Sequence, residues 1–152
     1  MRIWIDADAC PKMVKEFIFK AARRLGVPTT LVANKGLFLP QHPLIALVVV
    51  GGGVDEADHY IVDHCAENDL VVTADIPLAS ALVEKGVAVV SPRGTVYTPD
   101  NVKEALATRN LMQELRENGI MQGGPAPLGP NDKVQFANAF DREMTRLRRK
   151  RG

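Results

Sequence analysis

Aspartates recur in this chain at places where chemistry on a phosphate ester can be done. The segment IDADAC closes an apolar N-terminal run at Asp6 and adds Asp8, and VVTAD closes another run at Asp75. Asp55 and Asp58 lie just after the break at Gly51, Gly52 and Gly53, in the first turns of an expected helix. Carboxylates gathered from separate segments repel one another unless a cation sits among them or one is protonated. No Lys or Arg adjoins Asp6, Asp58 or Asp75 in sequence. Hard oxygen ligands without a His or Cys partner suit Mg²⁺ or Mn²⁺. Such an ion lowers the pKa of a water and offsets charge on an attacked phosphodiester. The expected chemistry is therefore metal-assisted phosphodiester hydrolysis. The bland alternative is that each aspartate caps a helix or forms a turn, as aspartates commonly do. Lys12, Lys35 or Arg93 folding over the same edge would also neutralise the acids without any metal.

What could bring these acids together is the order of elements. Apolar, β-branched runs at 2–6, 29–33, 44–50, 70–74 and 87–90 read as five strands. Helical spacing connects them. Pro11 opens a helix that carries Val14, Phe17, Ile18, Ala21, Ala22 and Leu25 and stops at Gly26, and further helices are expected over 54–67 and 77–85. Continuous apolar strands separated by helices imply an α/β fold of three layers, a mainly parallel five-stranded sheet with helices on both faces. In such a sheet the strand ends share one edge, and ligands bind along it. On a wheel of ~100° per residue, Val54, Ala57, Ile61 and Cys65 form one stripe with Asp58 at its border. Asp55 and Asp63 point further away, so Asp58 is the helix acid expected to face the site.

The rest of the chain is expected to complete the same domain. Thr98 and Pro99 cap and start a helix running to about residue 118, and GIMQGGPAPLGPN at 119–131 reads as a Gly/Pro-rich loop. A last helix over 132–150 places Phe136, Phe140, Met144 and Leu147 on one stripe, so it docks back, and 1–152 is read as a single domain. Arg146, Arg148, Arg149, Lys150 and Arg151 form a basic tail that either touches RNA or merely complements the helix dipole.

Composition narrows the classes. The chain has 152 residues, with 19 Lys and Arg against 18 Asp and Glu for a net charge of +1, so only local clusters can steer a polyanion. Aromatic residues are 5% of the chain, too few for a base-stacking sheet. Cys10 and Cys65 cannot make a disulfide framework, and no apolar run approaches the ~18 residues of a membrane span. The N-terminus lacks the pattern of a signal peptide, and a cytoplasmic protein without membrane partners is expected.

Taken together, IWIDADACP, VGGGVDEADHYIVDHC, LVVTADIPLASALVEKG and SPRGTVYTPDNV resemble the bacterial YaiI/YqxD family of uncharacterised proteins. GGPAPLG and FANAFDREM extend the resemblance over almost the whole chain. That family is similar to PIN-like nucleases, which gather acids around Mg²⁺ or Mn²⁺ at the C-terminal edge of a parallel sheet. The resemblance implies Asp6, Asp58 and Asp75 as catalytic acids, with Asp8 joining them as metal ligands. It also implies Thr73 supporting Asp75 or touching phosphate, while Arg93 and Lys12 are placed to contact substrate. The further acid of PIN nucleases has no counterpart between Phe38 and His42, so Asp8 or Asp55 would have to replace it. The expected substrate is a phosphodiester, RNA in preference to DNA. Two alternatives stand beside it. The DxDxC pattern resembles haloacid-dehalogenase-like phosphatases, in which Asp6 would be a covalent nucleophile and Asp8 a general acid. A non-catalytic nucleic-acid or protein-binding module is the other.

Remaining features have modest expectations. Cys10 at a helix start can have its thiol pKa lowered, though a small buried residue is the commoner outcome. Cys65 and Trp4 are expected in the core. His42, His59 and His64 lack metal-ligand spacing, with His59 facing solvent. The three glycines lack the spacing of a nucleotide-binding loop.

Overall fold

The structure, a computed structural model, describes residues 1–53, 55–124 and 126–150, without the Lys150 side chain. The strands are β1 (Ile3–Asp6), β2 (Thr29–Ala33), β3 (Ile45–Val49), β4 (Leu70–Val72), β5 (Ala88–Val90) and β6 (Val96–Tyr97). The helices are α1 (Lys12–Leu25), α2 (Glu56–His64), α3 (Ile76–Lys85), α4 (Pro99–Glu117) and α5 (Pro130–Lys150), and a short 3-10 turn (Ala7–Ala9) follows β1. The sheet order is β3-β2-β1-β4-β5-β6, all parallel except the β5/β6 pair. Strand order reverses between β1 and β4, where the crevice of an open α/β sheet forms.

Side-chain alternation makes the three layers. Ile3 and Ile5 of β1, Leu31 of β2 and Leu70 and Val72 of β4 face α1 and α5. Trp4, Val32, Val71 and Val89 face α2, α3 and the start of α4. On the first side Phe17, Phe136 and Phe140 meet with ring centroids 5.6–5.8 Å apart, so α5 docks through its apolar stripe. By the same alternation, Asp6 after Ile5 and Thr73 after Val72 turn toward the α2/α3 side.

The sheet has six strands rather than the expected five. β6 is two residues long and carries no periodic signal. It is set by the SPRG turn, where Gly94 has φ +91° and a Cβ would stand 2.5 Å from the Gln135 carbonyl carbon. Only glycine lets this turn lie against α5. The helix expected over 54–67 is shorter. It begins at Glu56 behind Asp55, whose φ of +62° is left-handed, and ends before Cys65. Val54, at the head of the expected stripe, lies outside the described residues, as does Arg151 of the tail. Among the described residues no helix is long and apolar enough to cross a membrane.

Candidate metal centre

Asp6 closes β1 and is 4% exposed. Because β1 and β4 are neighbours with Ile5 opposite Val72, the next residues put Asp6 beside Thr73. Thr73 is fully buried, and its hydroxyl donates to Asp6 Oδ2 at 2.7 Å while accepting the Asp75 N–H at 2.9 Å. One hydroxyl thus ties the end of β1 to the start of α3. Asp75 is the N-cap of α3, its Oδ1 accepting from Leu78 N–H at 3.0 Å. The capping reading of Asp75 is therefore correct for one oxygen. Asp58 arrives from the first turn of α2, beside buried Ala57.

One carboxylate oxygen from each of Asp6, Asp58 and Asp75 lies within 4.8 Å of the others. Among the described residues no Lys or Arg is ion-paired with any of them. Burial, and then the charges of Asp75, Asp6 and Asp55 and a hydrogen bond shared with Asp75, push Asp58 up to about 7. Asp6 is raised as well, chiefly by burial; the Thr73 hydroxyl opposes the shift, and the charges of Asp75 and Asp8 add to it. Asp69 shows what a structural acid looks like in the same chain. It is 7% exposed and accepts three N–H donors, from Arg2, Trp4 Nε1 and Ala66, at 2.8–3.0 Å.

The donor set fits a small hard cation. Oxygen ligands at ~2.1 Å around one octahedral ion stand at most ~4 Å apart, close to the spacing found here. An ion among the three would also offset the burial and the repulsion that raise Asp58. Asp8 is exposed and lines the same cavity, of about 210 Å³, but is outside the group of three; its Oδ2 accepts from the Asn34 N–H at 2.9 Å. Asp55 lines the cavity too, at the N-cap position of α2, with no capping bond from its side chain.

The expected substrate contacts fare differently. Arg93 is tied to Asp132 at 3.1 Å and to the Ala126 carbonyl, because the Gly94 turn presses it onto the Gly/Pro loop. Its guanidinium is engaged with the loop and α5 and is not ion-paired with Asp75. Lys12 has a side chain 90% exposed beside Glu16 and lines a different cavity, with Leu37 and Phe38. Thr73 is sealed from solvent, so it supports Asp6 and Asp75 and does not reach substrate. Burial pushes the Cys10 thiol up to about 12, outweighing any help from the nearby helix start. Cys65 is buried and Trp4 lies in the core. His59 is exposed, His64 stacks on Tyr60, and Glu56 covers Gly53, which disfavours an anion there.

Sequence reasoning missed Asp69 and Lys85, whose ammonium caps α2 by donating to the Val62 and Cys65 carbonyls at 2.5 and 2.7 Å. It also missed Arg109 of α4, which lines a cavity of about 320 Å³ together with Asp55, Asp58 and Asp75. A pair of arginines seven residues apart, Arg109 and Arg116, was the available signal.

One match to known proteins spans residues 4–146 of this chain, from β1 into the last helix, and it is to the uncharacterised YaiI/YqxD family. The chain belongs to that family. Its relatives carry the name UPF0178 protein. The one from Geobacter metallireducens is 52% identical over 147 residues, covering 97% of this chain and 95% of the relative. That from Maridesulfovibrio salexigens is 53% identical over 146 residues, covering 96% and 97%. The Myxococcus xanthus relative is 52% identical over 147 residues, covering 97% and 96%. No activity is stated in any of these names, so function has to be argued from the site.

Proposed function

We propose that this YaiI/YqxD protein is a Mg²⁺- or Mn²⁺-dependent nuclease that hydrolyses phosphodiester bonds in RNA. One observation carries the reading: Asp6, Asp58 and Asp75 come from three separate elements, lie within 4.8 Å of one another, and lack a cationic partner among the described residues. Asp6, Asp58 and Asp75 would hold the ion. Once bound, it would supply an acidified water and positive charge against the phosphodiester.

The protein's own contribution is positioning and proton control. Thr73 fixes the Asp6 carboxylate through its hydroxyl, and the Asp75 N–H fixes Thr73. Asp75 is held by its cap on α3, with its other oxygen left for the site. Asp58, which burial and the neighbouring acids raise to about 7, would have to be ionised to hold the ion, so metal binding would be coupled to pH near neutrality. Asp8 and Asp55 line the mouth as further negative groups. The covalent phosphatase chemistry is not favoured, because Asp6 is almost wholly buried and already holds the Thr73 hydroxyl.

The test is Mn²⁺ binding by calorimetry and cleavage of a labelled RNA, in parallel for the natural protein, Asp6→Asn and Asp75→Asn. Loss of Mn²⁺ binding and a fall in cleavage beyond the ~10–100-fold typical of a supporting residue are expected. Cleavage that persists in EDTA would refute the metal-dependent nuclease, and RNA binding by the natural protein without cleavage in Mn²⁺ would point to a binding module.

A further inference from the structure

Helix α4 runs for 19 residues with only Val102 buried, so core packing does not account for most of its length. Arg109 stands at the acid pocket, lining the cavity it shares with Asp58 and Asp75. The same side chain lines an adjoining cavity of about 490 Å³ that follows α4 past Thr108 and Met112 to Arg116. Arg109 thus links the two cavities. Seven residues apart, Arg109 and Arg116 share a face of the helix, about 10 Å from each other along its axis. Both are exposed, and among the described residues neither forms an ion pair. Among the described residues the Arg109 side chain donates only to Asn110 Oδ1 at 3.1 Å and the Arg116 side chain only to the Gly123 carbonyl at 2.9 Å. Stability gains little from such contacts.

Electrostatics gives these two cations a purpose. A pocket of three acids repels a polyanion, and a chain of net charge +1 supplies no general attraction to overcome it. Cations must therefore stand beside the pocket without entering it. Arg93 is already committed to Asp132, and Arg109 with Arg116 remain on the α4 side. A guanidinium offers the forked donors that match phosphate oxygens. Met112 lies between them on the same face, a polarisable surface for a ribose or base.

We propose that Arg109 and Arg116 form a phosphate rail that leads a polynucleotide strand along α4 to the acid pocket, with Arg109 holding the phosphate beside the one that reacts. The rail rests on the reading of the acid pocket as a hydrolytic metal centre. Both arginines are positioning residues.

The test uses the full chain carrying Asp6→Asn, so that a strand remains uncut, and a fluorescein-labelled single-stranded RNA of about 12 nucleotides. Binding is followed by anisotropy across a salt series. Arg109→Ala and Arg116→Ala are each expected to weaken binding and to lower the slope of log K against log salt by about 0.7. Arg109→Lys should retain the slope while losing affinity, which a merely structural role would not produce. The double change Arg23→Ala, Arg24→Ala removes two charges, as many as both α4 changes together, at the far end of α1, and should leave the slope unchanged. An unchanged slope in the α4 variants, an equal loss in the α1 variant, or no binding of the strand would each overturn the rail. Mn²⁺ binding to the natural chain is measured alongside. If the slopes change as expected while Mn²⁺ does not bind, the rail stands and the metal reading falls.

Discussion

Replacing Asp58 with Asn should make the metal-free protein more stable and the metal-bound protein less so. Asp58 is held near two other carboxylates, and its carboxyl is raised from 3.8 to about 7. A folded-state pKa above the unfolded value means that Asp58 favours folding fully only below the unfolded pKa. That advantage is lost as pH rises toward the folded value of about 7. At face value the shift corresponds to about 4 kcal/mol, but Asp58 is only half-buried, and solvent screening reduces this to on the order of 1–2 kcal/mol. In a chain of this size that is a Tm difference of roughly 3–6 °C. Asp58→Asn without metal should therefore melt several degrees above the natural protein at pH 8 and together with it near pH 4. Saturating Mn²⁺ at pH 8 should reverse the order, since a ligand at about 100 times its Kd adds about 2.7 kcal/mol to the natural protein and little to the variant. Differential scanning fluorimetry at the two pH values, with EDTA or Mn²⁺, reads all four conditions. A metal-free variant that is no more stable than the natural protein at pH 8 would mean that the Asp58 charge is already compensated, and the reasoning would fail.

Two further substitutions separate site from scaffold. Thr73→Val removes the hydroxyl shared by Asp6 and the Asp75 N–H, and should cost about 1–3 kcal/mol in urea unfolding and at least ~10-fold in Mn²⁺ affinity, with Thr73→Ser retaining most of both. Asp69→Ala orphans three N–H donors and should cost about 3 kcal/mol or more in the same unfolding experiment, yet leave Mn²⁺ affinity unchanged; a matching loss of Mn²⁺ would show that hydrogen-bond satisfaction does not sort these acids.

The sheet was legible because strands buried on both faces, such as β1 and β4, must be continuously apolar, and the edge strand β3 is equally apolar although Val49 is exposed. β6 was not, because two residues carry no period and its pairing depends on how Gly94 meets α5. The end of α2 was misjudged for a related reason. Its stop is set from a distance, by Lys85 on its last carbonyls and by Asp69 on the Ala66 N–H. Asp6, Asp58 and Asp75 could be grouped because each adjoins an element boundary, and boundaries in a parallel sheet converge on one edge. Arg93 adjoins a boundary on that edge too, yet it is drawn away, because the turn that carries it is pressed against α5 and Asp132.

What sequence position does not disclose is whether an acid is satisfied. Asp6 and Asp69 are both buried aspartates at strand ends, Asp6 as the last residue of β1 and Asp69 just before β4. One collects three N–H donors from 2, 4 and 66 and has no need of a cation. The other accepts one hydroxyl and faces two more carboxylates, with no cation paired to it among the described residues. The difference arises from which groups the neighbouring loops turn toward each acid. That property belongs to the folded edge and not to any local run of residues. A buried acid supplied with enough donors is an anchor. An under-supplied one is unstable as an anion, and either a proton or a ligand of opposite charge makes its placement favourable, so it is the contrast between these two aspartates, rather than their number, that favours a cation at Asp6.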